Sequence, residues 1–375
     1  MEFTPLEGVL VVSLEQALAA PFCSSRLADA GARVIKLERK EGDFARNYDT
    51  AIKGQASYFV WLNRGKESLV VDIKNSDDIK LIYKILSKAD VFIQNLAPGA
   101  IDKVGLNSKE LRKLFPKLIT CDISGYGEEG PYKNMKAYDF LIQCETGLAS
   151  ITGGPNEPSR VGVSLCDIAA GMYATQGIYL ALLNRKITGL GESIKVSLFD
   201  SLADWMSVPL LLSDYTGKAP ARVGLNHPGI APYGAYNSLD NKKIVISIQN
   251  EREWEIFCRK ILNNEKLAID NRFLSNEKRV LNRIDLDEEI NKIFNNEKSD
   301  NIAVLLKENK IAFGFLNSIQ DFSKHPQLRR TDINSPSGNI SIVASPIITE
   351  TKNIKPKPIP KLNEHSSKIR EEFSF

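Results

Sequence analysis

One carboxylate stands apart as a chemical group. In the stretch RVGVSLCDIAAGMYATQGIYLALL (160–183), Asp167 is the single acid in a run of apolar and small residues. An aspartate so placed can cap a helix, its side-chain oxygen accepting from a free first-turn N–H. The spacing of Ile168, Met172, Tyr173, Gln176, Tyr179, Leu180 and Leu183 predicts a helix that starts directly after it. The same residue can also be a nucleophile, kept ionised by those N–H groups in a partly dry site. The stretch alone favours the cap, and both readings stay open.

Other chemistries find less material. The five cysteines (Cys23, Cys121, Cys144, Cys166 and Cys258) are scattered without a CxxC pair, which argues against a disulfide framework and structural zinc. With only His227, His325 and His365 in the chain, no cluster of metal ligands is expected. The loop EQALAAPF after the first strand has no glycine, so it lacks the turn that lets backbone approach a dinucleotide pyrophosphate. That argues against a nicotinamide or flavin dehydrogenase.

The elements that must position Asp167 follow an alternating rhythm. Strands are predicted at 9–14, 33–38, 68–74, 90–96 and through LITCDISGYG, with helices between them. Gly31 can end the first helix, Ser76 opens another, and Asn107 with Glu110 makes a capping-box-like start for KELRKLF. Continuous apolar strands separated by helices imply a parallel sheet covered on both faces, whose ligands sit at the strands' carboxyl ends. SIKVSLFDSLADWM (193–206) reads as a strand running into a helix. The Gly- and Pro-rich segment 216–236 then reads as a long crossing, and KKIVISIQ with the helical sequence after it as a smaller α+β domain. The tail over 354–373 reads as extended, with a short final helix.

A chain of 375 residues fits two domains. Its 49 basic against 46 acidic residues are dispersed, leaving no footprint for nucleic acid or an anionic membrane. MEFTPLEGVLVVSL has no basic region before its apolar run and reads as a strand, not a signal peptide, and no apolar run reaches membrane-spanning length. A soluble, reduced, cytoplasmic protein is the expectation.

Seven segments taken together carry a resemblance. PLEGVLVVSLEQALAAPFCSSRLADAGARVIKLER, NRGKESLVVDIK, ADVFIQNLAPGAIDKVGL, ISGYGEEGPY, AYDFLIQCETGLASITG, HPGIAPYGAY and LNEHS resemble, in that order, segments of the class III coenzyme A transferases. This family includes formyl-CoA transferase, the carnitine-CoA transferases and the α-methylacyl-CoA racemases. The resemblance covers nearly the whole chain. It implies an α/β fold: a Rossmann-like large domain with a parallel sheet, a smaller α+β domain, and a homodimer of interlocked rings. The implied domains are a CoA-binding large domain at 1–212, a linker at 213–236, a small domain at 237–325, and a return segment at 326–375 that packs on the large domain.

By the same resemblance Asp167 aligns with the catalytic aspartate, and its amide neighbours would lower its pKa and aim it. The reaction would move CoA between an acyl-CoA and a carboxylic acid through an aspartyl mixed anhydride and an aspartyl-CoA thioester, without metal. Further positions match CoA contacts. Gln16 and Ala17 lie near the pantetheine, and Arg39 at the nucleotide. Val71 and Lys74 flank a strand end, and Asn95 and Leu96 form a turn. Lys103 stands where an arginine is common, and Lys136 and Tyr138 precede the active-site wall. The racemases carry a histidine where this chain has Tyr138. A phenol of ordinary pKa near 10 is a poor proton shuttle at neutral pH, which disfavours that alternative. A non-catalytic CoA-binding protein would need the nucleophile lost.

For the acid substrate, SIQNEREW (247–254) replaces the glycine-rich loop of the formyl/oxalate enzymes. It reads as a helix start with Asn250 as cap and Glu253 at the third position. Arg46 and Arg64 are candidates to grip the second carboxylate of a short dicarboxylic acid of succinate or mesaconate size. The alternatives are solvent exposure or contact with the CoA phosphates.

Overall fold

The structure, a computed structural model, describes residues 2–353 and 356–374. The chain divides into two compact units. The first takes in the chain up to Leu148, Val161–Val208 and the chain from Arg329; the second takes in Ala149–Arg160 and Pro209–Leu328. The excursion of 149–160 into the second unit has no signal in the sequence.

The first unit is built on six parallel strands: β1 (Leu10–Leu14), β2 (Arg33–Glu38), β3 (Lys66–Val70), β4 (Val91–Gln94), β5 (Ile119–Ser124) and β6 (Ser193–Ser197). Their spatial order is β3-β2-β1-β4-β5-β6. This is the doubly wound order, and its direction reverses between β1 and β4, the switch point at whose carboxyl ends such sheets bind ligands. Its helices include α1 (Ala19–Asp29), α2 (Ser57–Leu62), α3 (Ser76–Leu86), α4 (Ala100–Lys103), α5 (Ser108–Leu114), α6 (Asp139–Glu145) and the 24-residue α7 (Leu165–Thr188). Val12 and Leu14 of β1 pack with Ile82, Ile85 and Leu86 of α3, and the alternate residues Val11 and Ser13 are buried on the other face. Burial on both faces is why β1 reads as an unbroken apolar run.

Local chemistry sets the boundaries. Gly31, at φ 101°, follows α1 in a left-handed conformation that a side chain would strain. Asn107 caps α5 by accepting the Glu110 N–H at 2.9 Å. α3 opens at Ser76, as expected, with Asn75 as its cap. The strand read over 68–74 pairs over 66–70 instead, because the backbone turns at Asp72, whose carboxylate accepts the Lys74 N–H.

The final helix, Ser366–Glu372, closes the β3 edge of the sheet. Ser366 Oγ accepts the Val70 N–H at 3.0 Å, His365 Nδ1 accepts the Ser68 N–H at 3.2 Å, and Arg370 donates to the Val70 carbonyl at 2.9 Å. These bonds occupy backbone groups that an open edge would leave exposed. Ile354 and Lys355, at the start of the expected extended tail, lie outside the described residues.

The second unit holds an antiparallel three-stranded sheet in the order Ala312–Phe315, Lys243–Ser247, Tyr233–Asn237. Trp254, Phe257, Phe273 and Phe294 fill its core. Asn250 caps the helix Glu251–Ile256 by accepting the Glu253 N–H at 2.9 Å.

Candidate active site

Asp167 is the third residue of α7, which starts at Leu165 behind Ser164, three residues earlier than the sequence predicts. It is therefore not the cap. Another carboxylate does that work: Asp139, at the start of α6, accepts the Cys166 N–H at 2.7 Å and the Asp167 N–H at 3.4 Å through Oδ1. Gln143 fixes Asp139, donating to its Oδ2 at 2.8 Å while accepting the Val161 N–H at 2.8 Å. The amides expected to hold Asp167 ionised are thus engaged by its neighbour.

The consequence is electrostatic. Among the described residues no donor meets the Asp167 oxygens. Burial, and then the Asp139 charge, push its pKa up to about 7, against the expected lowering. The correction has a chemical sense: a more basic carboxylate is a better nucleophile, at the cost of being partly protonated near neutrality.

Small residues bring α7 against α1. A Cβ on Gly171 would lie 2.8 Å from the Ala19 carbonyl oxygen and 2.9 Å from Phe22, so only glycine allows that approach. Asp167 sits one turn earlier on the same helix face. The β1–α1 loop that leads into Ala19 carries Gln16 and Ala17. Gln16 N–H donates to Asn95 Oδ1 at 2.9 Å, and Asn95 Nδ2 donates back to the Gln16 carbonyl at 2.9 Å. This reciprocal pair bridges the loops after β1 and β4, at the sheet's switch point. Gln94 adds to it, accepting the Leu96 N–H at 2.8 Å and donating to Asp122 at 2.8 Å.

Tyrosines complete the surroundings. Burial, with the nearby Asp43 and Asp167 carboxylates, raises the Tyr48 phenol above its ordinary value. Tyr48 packs edge-on against Tyr58, whose hydroxyl lies 3.3 Å from Ser164 Oγ at the start of α7. Tyr138, 71% exposed, immediately precedes Asp139. Sequence reasoning missed Tyr48, Tyr58 and Asp139. Their only signal was the aromatic content of ARNYDT and ASYFVW and the adjacency of Asp139 to Tyr138.

The other expected contacts fall as follows. Arg39 follows β2; it stacks its guanidinium 3.9 Å from the Phe44 ring centre and donates to the Gly42 carbonyl. Val71 follows β3 but its side chain is in the core, leaving only backbone for a ligand, whereas Lys74 is exposed. Asn95 and Leu96 follow β4. Lys103 is exposed at the end of α4, and Lys136 is exposed ahead of α6.

Arg46 and Arg64 do not offer a free fork. Arg46 makes a two-bonded pair with Glu38, both bonds 2.8 Å, and lies 3.8 Å from the Phe59 ring centre. Arg64, 6% exposed, pairs with Asp29 through two nitrogens and donates to the Trp61 carbonyl. Arg46 ties its turn to β2, and Arg64 ties the segment after α2 to the end of α1.

Beneath the β1–α1 loop lies a buried charge cluster. Glu15 accepts from Lys66 at 2.6 Å, Lys36 at 3.1 Å, and the hydroxyls of Ser13 and Ser24 at 2.5 Å each. Lys36 also donates to Asp43 at 2.7 Å. Burial alone would raise Glu15, but the two ammoniums bring it down to about 2.

Comparisons with known proteins bear on this arrangement. Residues 6–366 match the model of CoA-transferase family III. The chain is 34% identical to the acetyl-CoA:oxalate CoA-transferase of Acetobacter aceti, over 99% of this chain and 96% of that protein. It is 32% identical to the succinate–glutarate CoA-transferase of Agrobacterium fabrum, over 98% of this chain and 96% of that protein. The crystal structure of a CaiB/BaiF family protein from Brucella suis superposes with a TM-score of 0.87 at 34% identity, covering 99% of this chain and 100% of that one.

Proposed function

The chain belongs to CoA-transferase family III and moves CoA between an acyl-CoA and a carboxylic acid, and on that premise we propose that Asp167 is the nucleophile that carries the transfer. The carrying observation is a carboxylate that no donor among the described residues holds, raised to about 7 at the start of a long helix beside the switch-point loops. An Asp167 oxygen attacks the thioester carbonyl, the C–S bond breaks, and CoA leaves as thiolate from an acyl-aspartyl anhydride. The thiolate then attacks the aspartyl carbonyl, releasing the donor carboxylate and leaving an aspartyl-CoA thioester. The acceptor carboxylate attacks that thioester, giving an anhydride and CoA thiolate. Attack of the thiolate on the acceptor's carbonyl forms the new acyl-CoA and restores Asp167.

The loops after β1, β2, β3 and β4 would bind CoA. Gln16, Ala17, Asn95 and Leu96 lie at the switch point. Arg39, Lys74, Lys103 and Lys136 would face the phosphates and Tyr138 the thioester end, with Val71 contributing backbone. The acid is a short dicarboxylate, in line with relatives named for succinate and glutarate or for mesaconate. The working form is an interlocked homodimer. We place it in the cytoplasm, where its five free thiols suit a reducing compartment.

The test is to incubate the protein with acyl-CoA, add hydroxylamine, and map the modified peptide by mass spectrometry. A hydroxamate on Asp167, absent from Asp167→Ala, is expected. A protein that turns over without any adduct at this residue would overturn the mechanism.

A further inference from the structure

One carboxylate outside the reaction path joins two walls of the site. Asp43 is 3% exposed, and its two oxygens have different duties. Oδ1 accepts the Ala17 N–H at 3.0 Å and the Ala45 N–H at 3.0 Å, while Oδ2 accepts from the fully buried Lys36 ammonium at 2.7 Å. Ala17 sits at φ 61°, a left-handed conformation that a side-chain-bearing residue keeps only when its surroundings hold it. Ala45 lies in the turn Phe44–Asn47, and the next residue is Tyr48. Tyr48 stands in electrostatic reach of Asp167, and the loop through Ala17 feeds the helix that Gly171 packs against.

We propose that Asp43, oriented by Lys36, is a positioning residue for CoA transfer: its Oδ1 locks the β1–α1 loop to the Phe44–Tyr48 segment and so fixes both against Asp167. Loop hydrogen bonding alone would serve folding. What points to catalysis is that the two segments held by this single oxygen are the strained loop beside α7 and the one bearing Tyr48. Lys36 sets which oxygen faces the amides, because Glu15 already occupies its other side. The proposal rests on Asp167 as the reacting group.

Asp43→Asn is the informative variant, since an amide has one acceptor oxygen where two are demanded. Turned toward the amides, it sets an NH2 against the Lys36 ammonium; turned toward Lys36, it sets that NH2 against two N–H groups. The expected result in folded protein is a kcat lower by about ten- to a hundredfold, as for slight misplacement of reacting groups, with KM for acyl-CoA within about threefold. Combining Asp43→Asn with Lys36→Met removes the competing ammonium, so the amide oxygen returns to Ala17 and Ala45 and kcat recovers by about tenfold. Hydroxylamine trapping on the same samples should still mark Asp167, only more slowly, which separates this idea from the nucleophile assignment. Full kcat in folded Asp43→Asn overturns the positioning role. So does a loss of turnover that merely tracks the folded fraction, or a double variant that regains thermal stability without regaining kcat.

Discussion

Within one compact unit the protein treats carboxylates withdrawn from solvent in two opposite ways. Glu15 and Asp43 lie among two lysines, hydroxyls and backbone amides, so every oxygen has a partner and Glu15 is held at about 2. Asp167 is given no donor among the described residues, and its neighbour Asp139 takes the amides that could have stabilised it, leaving it at about 7. The difference separates a carboxylate whose oxygens are engaged from one whose oxygens are left open. A compensated charge is inert because its lone pairs are occupied, whereas an uncompensated one keeps them for an electrophile.

The sharpest break in that contrast is at Asp167 itself. Asp167→Asn should lower CoA transfer by about three orders of magnitude or more, measured as steady-state turnover, because an amide cannot replace the proposed carboxylate nucleophile. The same change should stabilise the fold above neutral pH. With the native pKa raised from 3.8 to about 7, the folded state holds a proton that the unfolded state releases, so stability falls as pH rises through that window. Asp167→Asn should therefore melt about 2–4 °C higher than the parent at pH 8 and no higher at pH 3.5, by calorimetry.

Breaking the other side of the contrast should cost stability. Glu15→Ala strips the shared partner from Lys36 and Lys66, and removing one member of a buried ion pair costs about 3–5 kcal/mol. Urea unfolding would read the loss; a midpoint unchanged from the parent would mean the cluster contributes nothing. In the parent, the Glu15 contribution is present above the ordinary carboxylate pKa of 4.5 and disappears as pH falls toward about 2.

The smallest effect sharpens the comparison. Asp139→Asn keeps an oxygen for the Cys166 N–H but removes the charge that repels Asp167. The kcat/KM profile, expected to rise through pH 7 in the parent, should shift to lower pH, with a severalfold gain in relative rate at pH 6. An unmoved profile would assign the raised pKa to burial alone.

How much of this was legible depended on the range of the interaction. The rhythm of β1 to β5 and the Asn107 and Asn250 caps could be read because each depends on residues a few positions apart. The start of α7 was misplaced because its cap comes from Asp139, 28 residues before Asp167. No local pattern announces a capping group from another helix. Arg46 and Arg64 looked like free loop cations for a related reason, as the acids that engage them, Glu38 and Asp29, are 8 and 35 residues away.

The sequence by itself determined the alternation of strands and helices and the absence of a glycine-rich dinucleotide turn. Both are properties of periodicity and type, which survive without coordinates, whereas Asp167 came forward as the proposed nucleophile only through the resemblance. Tertiary structure alone decided the state of that carboxylate. An aspartate carries the same atoms everywhere, but its pKa is set by the water excluded from it and by the charges folded beside it. Both are fixed only when α6, α7 and the β1–α1 loop come together.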